Sequence, residues 1–326
     1  MPARRRRGVP MNTPQLVDRV RAGDRRALAR AITLVENGAP QLREIMAGLA
    51  PHTGHAQVVG FTGSPGVGKS TTTSAVVRAV RGKGLTVAVL AVDPSSPFTG
   101  GALLGDRVRM QDHATDTGVY IRSMANRGHL GGLSWAAPHA LRVLDAAGFD
   151  VILVETVGVG QAEVAIAGQA DTTVVLSAPG MGDAVQASKA GVLEIADVLA
   201  VNKADRDGAR VTLRELRQMV AMKDRDDHEW KPPIEMTVAD RDEGIGELWE
   251  RVREHYAHLA ASGELAERRR ARAREEVQAI ALDLLRSRMA GPESGKGLDH
   301  LAAEVAEART DPYTAAETLA AELTEP

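Results

Sequence analysis

The strongest chemical signal in the sequence is the octapeptide Gly63-Ser64-Pro65-Gly66-Val67-Gly68-Lys69-Ser70. It fills every fixed position of G-x-x-x-x-G-K-[ST], the phosphate-binding P-loop. Glycines at 63, 66 and 68 let successive backbone N–H groups turn toward one point with no Cβ in the way, so the loop can wrap a phosphate. The helix expected to start there adds its positive end. Lys69 is placed to reach the β- and γ-phosphates and the Ser70 hydroxyl to sit on Mg²⁺, with Thr71 beside them in the first turn.

A second signal is Asn202-Lys203-Ala204-Asp205, which matches N-K-x-D. Its logic is base recognition. The Asp205 carboxylate can accept both N1–H and the 2-amino N–H of guanine. Adenine lacks the 2-amino group and has an unprotonated N1, so it would set an acceptor against that carboxylate. A site built on polar contacts of this kind discriminates strongly, and here it selects GTP over ATP. Thr237-Val238-Ala239 falls where GTPases usually carry a Ser-Ala pair behind the guanine, with Val238 standing in place of Ser.

Acidic residues supply the third signal. Asp150-Val151-Ile152-Leu153-Val154-Glu155 is an apolar run closed by a carboxylate, a Walker-B-type strand whose terminal acid holds the magnesium shell. Thr156-Val157-Gly158 completes an acid-x-x-Gly pattern, with Glu155 where GTPases usually have Asp; the Gly158 N–H would contact the γ-phosphate and sense its loss. Asp93 ends another apolar run and points toward the same crevice. Asp106, in the glycine-rich stretch Thr99 to Arg107, reads equally as a metal or water ligand in a mobile switch and as the N-cap of a following helix.

These residues need a scaffold, and the spacing predicts one. Gln57 to Thr62, Thr86 to Val92, Val119 to Arg122, Val151 to Glu155, Thr172 to Ser177, Asp197 to Val201 and Pro233 to Thr237 read as strands. Helical segments alternate with them: Ser70 to Val80, Trp135 to Ala147, one ending at Lys189, and Gly244 to Ala261 with Leu248, Trp249, Val252 and Tyr256 as anchors. The pattern predicts an α/β P-loop NTPase fold, a mostly parallel sheet with helices on both faces. His255 and His258, three apart in that last helix, read as surface residues. Ligands of such sheets bind beyond the carboxyl ends of the strands, where all three signals fall.

Four parts are expected: a basic tail over 1–11, a helical segment over 12–55, the P-loop domain over 56–262 and a helical arm over 263–326. Helices are expected over about 12–50, with Leu16, Val20 and Ala27 facing a partner surface. The charged run from Glu264 to Arg274 continues through Val277, Ile280, Leu284 and Leu285 as a long exposed helix, followed by a helical hairpin from Leu298 to Leu323. This arm reads as a homodimer contact, with a self-packed cap as the alternative.

The 326 residues suffice for a full α/β core. A net charge of −3 and an aromatic share of 3% give no pull toward nucleic acid, and no apolar run is long enough to span a bilayer. The absence of cysteine excludes disulfides and thiolate metal sites and suits a cytoplasmic protein.

The P-loop, Val92-Asp93-Pro94-Ser95-Ser96, Gly105-Asp106-Arg107-Val108-Arg109-Met110, Glu155-Thr156-Val157-Gly158-Val159-Gly160-Gln161 and Asn202-Lys203-Ala204-Asp205 occur in the order of one family. The chain resembles the methylmalonyl-CoA mutase-associated GTPases, the family of the methylmalonic aciduria type A protein and of bacterial homologues once called arginine/ornithine transport kinases. The resemblance covers roughly residues 12–260. It implies a GTP-hydrolysing metallochaperone that gates loading of adenosylcobalamin into an acyl-CoA mutase and protects that enzyme, working as a homodimer. It also implies a magnesium shell of Ser70, Asp93, Asp106 and Glu155, and an extra switch across Gly180, Asp183, Gln186 and Lys189 that communicates with the mutase. Val238 and the stretch Met124 to Leu130 depart from the family pattern.

Phosphoryl transfer needs positioning and charge neutralisation more than covalent chemistry. Val159 follows the switch glycine where Ras-type GTPases carry a water-orienting Gln, so slow turnover without a partner is expected, with Gln161 or Arg107 as candidates for that role. Two other readings stand beside this one. The first is a metal-delivery GTPase of the hydrogenase or urease maturation type, against which the lack of cysteine and of a His-rich tract counts. The second is a kinase using the same loop.

Overall fold

The computed structural model describes residues 12–94, 111–113, 115–126, 136–156, 168–180, 194–222, 226, 229–289 and 295–324. Seven strands form one parallel sheet: β1 (Gln57–Thr62), β2 (Val87–Pro94), β3 (Val119–Asn126), β4 (Val151–Thr156), β5 (Thr172–Ser177), β6 (Val198–Asn202) and β7 (Ile234–Thr237), in the order β3-β2-β4-β1-β5-β6-β7. Every residue of β4, β5 and β6 is buried. Sheets covered on both faces require such continuous apolar strands. The chain fills one side of β1 with β2, β3 and β4 and then crosses to β5, β6 and β7 on the other. That reversal places the crevice for a ligand at the carboxyl end of β1.

One face of the sheet is covered by α1 (Thr13–Arg21), α2 (Arg25–Glu36), α3 (Leu42–Leu49) and α5 (Ala136–Ala146). Asn12 and Asp24 cap the first two of these by accepting backbone N–H bonds, and Leu16, Val20 and Ala27 are buried as their spacing predicts. The Asp145 carboxylate accepts from the N–H groups of Gly54, His55 and Ala56, at 2.5, 3.1 and 3.0 Å, and so fixes the chain as it enters β1. On the other face lie α4 (Lys69–Gly82) and α7 (Ile245–Ser262), the latter burying Leu248, Trp249 and Val252.

Two findings differ from the sequence reading. His255 is not a surface residue: it is fully buried, on the same stripe of α7 as Leu248, Val252 and Leu259. Its Nδ1 meets Thr172 Oγ1 at 2.9 Å and its Nε2 lies 3.2 Å from Asp197, so polar partners from two strand starts let an imidazole stand in the core. The second is a helix the sequence reading did not include, α6 (Ala209–Met222), which buries Ala209, Thr212, Leu216 and Val220.

The chain divides into two compact units, Met1–Ala266 and Glu267–Pro326. The boundary falls inside α8 (Glu264–Met289), upstream of α9 (Gly295–Ala306) and α10 (Pro312–Thr324). Within the second unit Ala315 and Leu319 are buried, while Val277, Ile280, Leu282, Leu284 and Leu285 are exposed.

Candidate functional site

The loop between β1 and α4 begins at a close approach. Gly63 has φ +140°, and a Cβ there would lie 2.3 Å from the Leu176 carbonyl oxygen of β5. Gly68, the residue before α4, has φ +99°, and a Cβ would lie 2.4 Å from Asn202 Nδ2. Only glycine fits either position. The loop is therefore pressed against the two strands that follow it on that side of the sheet, and α4 points its amino end into the crevice.

Lys69 is buried; its Nζ donates to the carbonyls of Gly63 at 2.6 Å and Ser64 at 3.1 Å, so the ammonium folds back over the loop. The Ser70 hydroxyl donates to Glu155 Oε1 at 2.5 Å, and both side chains are buried. Thus the P-loop serine and the acid of β4 meet as the sequence predicts. A hydroxyl and a carboxylate converging at the amino end of a helix make a hard-oxygen donor pair that fits Mg²⁺. Among the described residues no group of three His, Asp or Glu side chains converges on a metal. Of Asp93 the backbone alone is described, in β2, and Asp106, Arg107, Gly158 and Gln161 lie outside the described residues.

The other end of the crevice is held by Asn202. Its Nδ2 donates to the Val67 carbonyl at 2.8 Å, and its Oδ1 accepts from Thr237 Oγ1 and the Ala239 N–H, each at 3.2 Å. Asn202 is 3% exposed, so one buried amide joins the loop, β6 and β7. Lys203, in the left-handed conformation at φ +56°, donates from Nζ to the Gly66 carbonyl at 2.6 Å. The Ala204 N–H donates to the Thr237 carbonyl at 3.0 Å, leaving Asp205 past the strand end with its carboxylate exposed. Val238 is buried and pairs through its backbone with Glu243. The structure therefore brings together Gly63 to Thr71, Glu155, Asn202, Lys203, Asp205 and Thr237 to Ala239. Gly180 closes the turn after β5 at φ +80°, while Asp183, Gln186 and Lys189 lie outside the described residues.

Two contacts near this site escaped the sequence reading. Arg241 Nη2 donates to Asp205 Oδ2 at 3.3 Å, and Arg78 of α4 donates from Nε to both oxygens of Asp242, at 3.1 and 3.0 Å. On the inner side of α4, Ser74 Oγ meets His113 Nε2 at 2.9 Å. Burial, and then the nearby Arg78 cation, push the His113 imidazole below its ordinary range.

Comparison with known proteins places this site among relatives. The model of the family described as "Methylmalonyl Co-A mutase-associated GTPase MeaB" matches residues 28–294. A Pyrococcus abyssi protein provisionally named a GTPase is 48% identical over 311 residues, covering 95% of this chain and 96% of its own length. GTPase ArgK of Escherichia coli K12 is 39% identical across 76% of this chain and 77% of its own. The mitochondrial methylmalonic aciduria type A homolog of Mus musculus is 38% identical across 76% of this chain and 64% of its own. A crystal structure described as an LAO/AO transport system kinase superposes with a TM-score of 0.72 at 28% identity, covering 97% of this chain and all of that one. Among the described residues no helix is long and apolar enough to cross a membrane.

Proposed function

The chain belongs to the methylmalonyl Co-A mutase-associated GTPase family, and from that premise we propose that it hydrolyses GTP to gate adenosylcobalamin loading into an acyl-CoA mutase, protecting or reactivating that enzyme. The observation that carries the reading is Asn202: one buried amide ties the phosphate loop to the base-reading strand ends, as a guanine-nucleotide site requires. Asp205 would accept from N1–H and the 2-amino group, and Ala239 would back the base. At the other end the loop N–H groups and Lys69 would hold the β- and γ-phosphates, and Lys69 would neutralise charge that builds on the γ-phosphoryl oxygens during transfer.

Ser70 and Glu155 would hold a magnesium ion, joined by Asp93 and Asp106. The ion would supply charge neutralisation for phosphoryl transfer. Gly158 would sense the γ-phosphate, and Gln161 or a partner residue would orient the attacking water. The loop from Gly180 through Asp183, Gln186 and Lys189 would report nucleotide state to the mutase. A homodimer joined by the arm is part of the same reading, supported by the exposed apolar residues Val277, Ile280 and Leu284 of α8.

The test is turnover of GTP and ATP by the intact chain, alone and with an adenosylcobalamin-dependent acyl-CoA mutase. Slow GTP-selective hydrolysis that rises on adding the mutase is expected. Hydrolysis that every such mutase leaves unchanged would remove the chaperone reading, and transfer of the γ-phosphate to an acceptor other than water would replace it with a kinase.

A further inference from the structure

Among the described residues, the Asp205 carboxylate has a single side-chain partner, Arg241, which donates from Nη2 to Oδ2 at 3.3 Å. Arg241 ends the short turn Ala239–Arg241, the turn whose Ala239 N–H donates to Asn202. The next residue, Asp242, sits at φ +60° and is gripped through both oxygens by Arg78. Arg78 also donates to Ser74 Oγ at 3.3 Å. The turn bearing Arg241 is thereby clasped to the helix that follows the phosphate loop. Val238, at the start of this turn, has no side-chain donor to offer a carboxylate.

We propose that Arg241 is a positioning residue for base selection: it fixes the plane of the Asp205 carboxylate, and the Arg78–Asp242 pair fixes the turn from which Arg241 reaches. A carboxylate beyond a strand end turns freely about its side-chain bonds. Accepting two parallel N–H groups from one edge of a purine requires a single orientation. Each carboxylate oxygen has two lone pairs, so Oδ2 can keep the arginine and still face the base. The exposure of the pair points the same way. Arg241 is 57% exposed and Asp205 37%, and ion pairs so open to water add little to folding stability. Its consequence is therefore sought in nucleotide choice.

The inference rests on Asp205 reading guanine, and the test separates the two. Affinities of the intact chain for GDP and IDP are measured by calorimetry in the wild type and in Arg241→Ala, Arg241→Lys and Arg78→Ala, alongside the melting temperature of each nucleotide-free protein. IDP lacks the 2-amino group, so the GDP/IDP ratio reads the second bond to Asp205. The wild type is expected to prefer GDP. Arg241→Ala should lower that ratio by roughly three- to tenfold, the scale of one hydrogen bond lost or misaligned, with melting essentially unchanged. Arg241→Lys should restore part of the ratio, and Arg78→Ala should lower it less than Arg241→Ala. An unchanged ratio in Arg241→Ala overturns the role of Arg241 and leaves the guanine reading standing. Tighter GDP binding by Arg241→Ala also overturns it, because the arginine would then compete with the base. A wild type that does not distinguish GDP from IDP removes the base-reading role of Asp205 and this inference with it.

Discussion

Glu155 and Asp205 are carboxylates at the same edge of one parallel sheet, and their surroundings differ in kind. Glu155 is 4% exposed and takes a hydrogen bond from Ser70, while Asp205 is 37% exposed in its side chain and takes one from Arg241. Around Asp205 the supporting bonds run between protein groups: Asn202 to the Val67 carbonyl, Lys203 to the Gly66 carbonyl, Thr237 and Ala239 to Asn202. Around Glu155 they use the groups that would hold phosphate and metal on the proposed reading, Lys69 Nζ and Ser70 Oγ. On that reading the base end would keep these bonds when a nucleotide binds, and the phosphate end would exchange some of its own. Preorganisation would then be greatest where the nucleotide is chosen, and rearrangement would fall where it is cleaved.

This contrast can be broken at several points. Lys69→Ala carries the largest expected effect: single-turnover GTP hydrolysis should fall by about 100- to 1,000-fold, as when one transition-state donor is lost, while the preference for guanine over hypoxanthine persists. Hydrolysis within tenfold of wild type would show that the phosphate end does not work through this cation. Gly68→Ala should blur the two ends. A Cβ at 2.4 Å from Asn202 Nδ2, on a backbone at φ +99°, strains the loop and pushes on the amide that joins loop to base strand. We expect a loss of roughly 1–3 kcal/mol in denaturant unfolding, with GDP and IDP weakened alike. Unchanged binding of both nucleotides would mean that Asn202 does not link the ends.

The smallest expected effect lies behind α4, at His113. His113 titrates in the folded chain below its ordinary 6.5, chiefly because it is buried and next because Arg78 is near. The unfolded chain therefore binds a proton that the folded chain refuses, so this residue lowers stability as pH falls below about 6.5 and has no effect above it. Comparing melting temperatures at pH 7.5 and 5.5 in wild type and His113→Gln should show a shallower decline in the variant. Equal declines would place the acid sensitivity elsewhere.

Much of this site was legible in the sequence because its chemistry sits in contiguous strings. The P-loop and N-K-x-D are each short unbroken strings set at strand ends, and the strands Gln57–Thr62 and Thr172–Ser177 occur with the bounds their apolar runs predict. The illegible parts depend on partners distant in the chain. His255 reads as a surface residue in the sequence because Thr172, which completes it, is 83 residues away. Arg241 and Arg78 find Asp205 and Asp242 across 36 and 164 residues, and no local pattern records such a pairing. Helix α6 buries only a narrow stripe among Arg210, Arg214 and Arg217, which hides its period among charges.

On the proposed reading, the ends of β6 and β7 choose guanine before any chemistry occurs. Its most direct test is calorimetric titration of the intact chain with GDP and with ADP in the presence of Mg²⁺. GDP binding tighter by at least about 100-fold is expected, the scale at which a site built on polar base contacts rejects the wrong base. Equal affinities would contradict it, whatever the rate of hydrolysis.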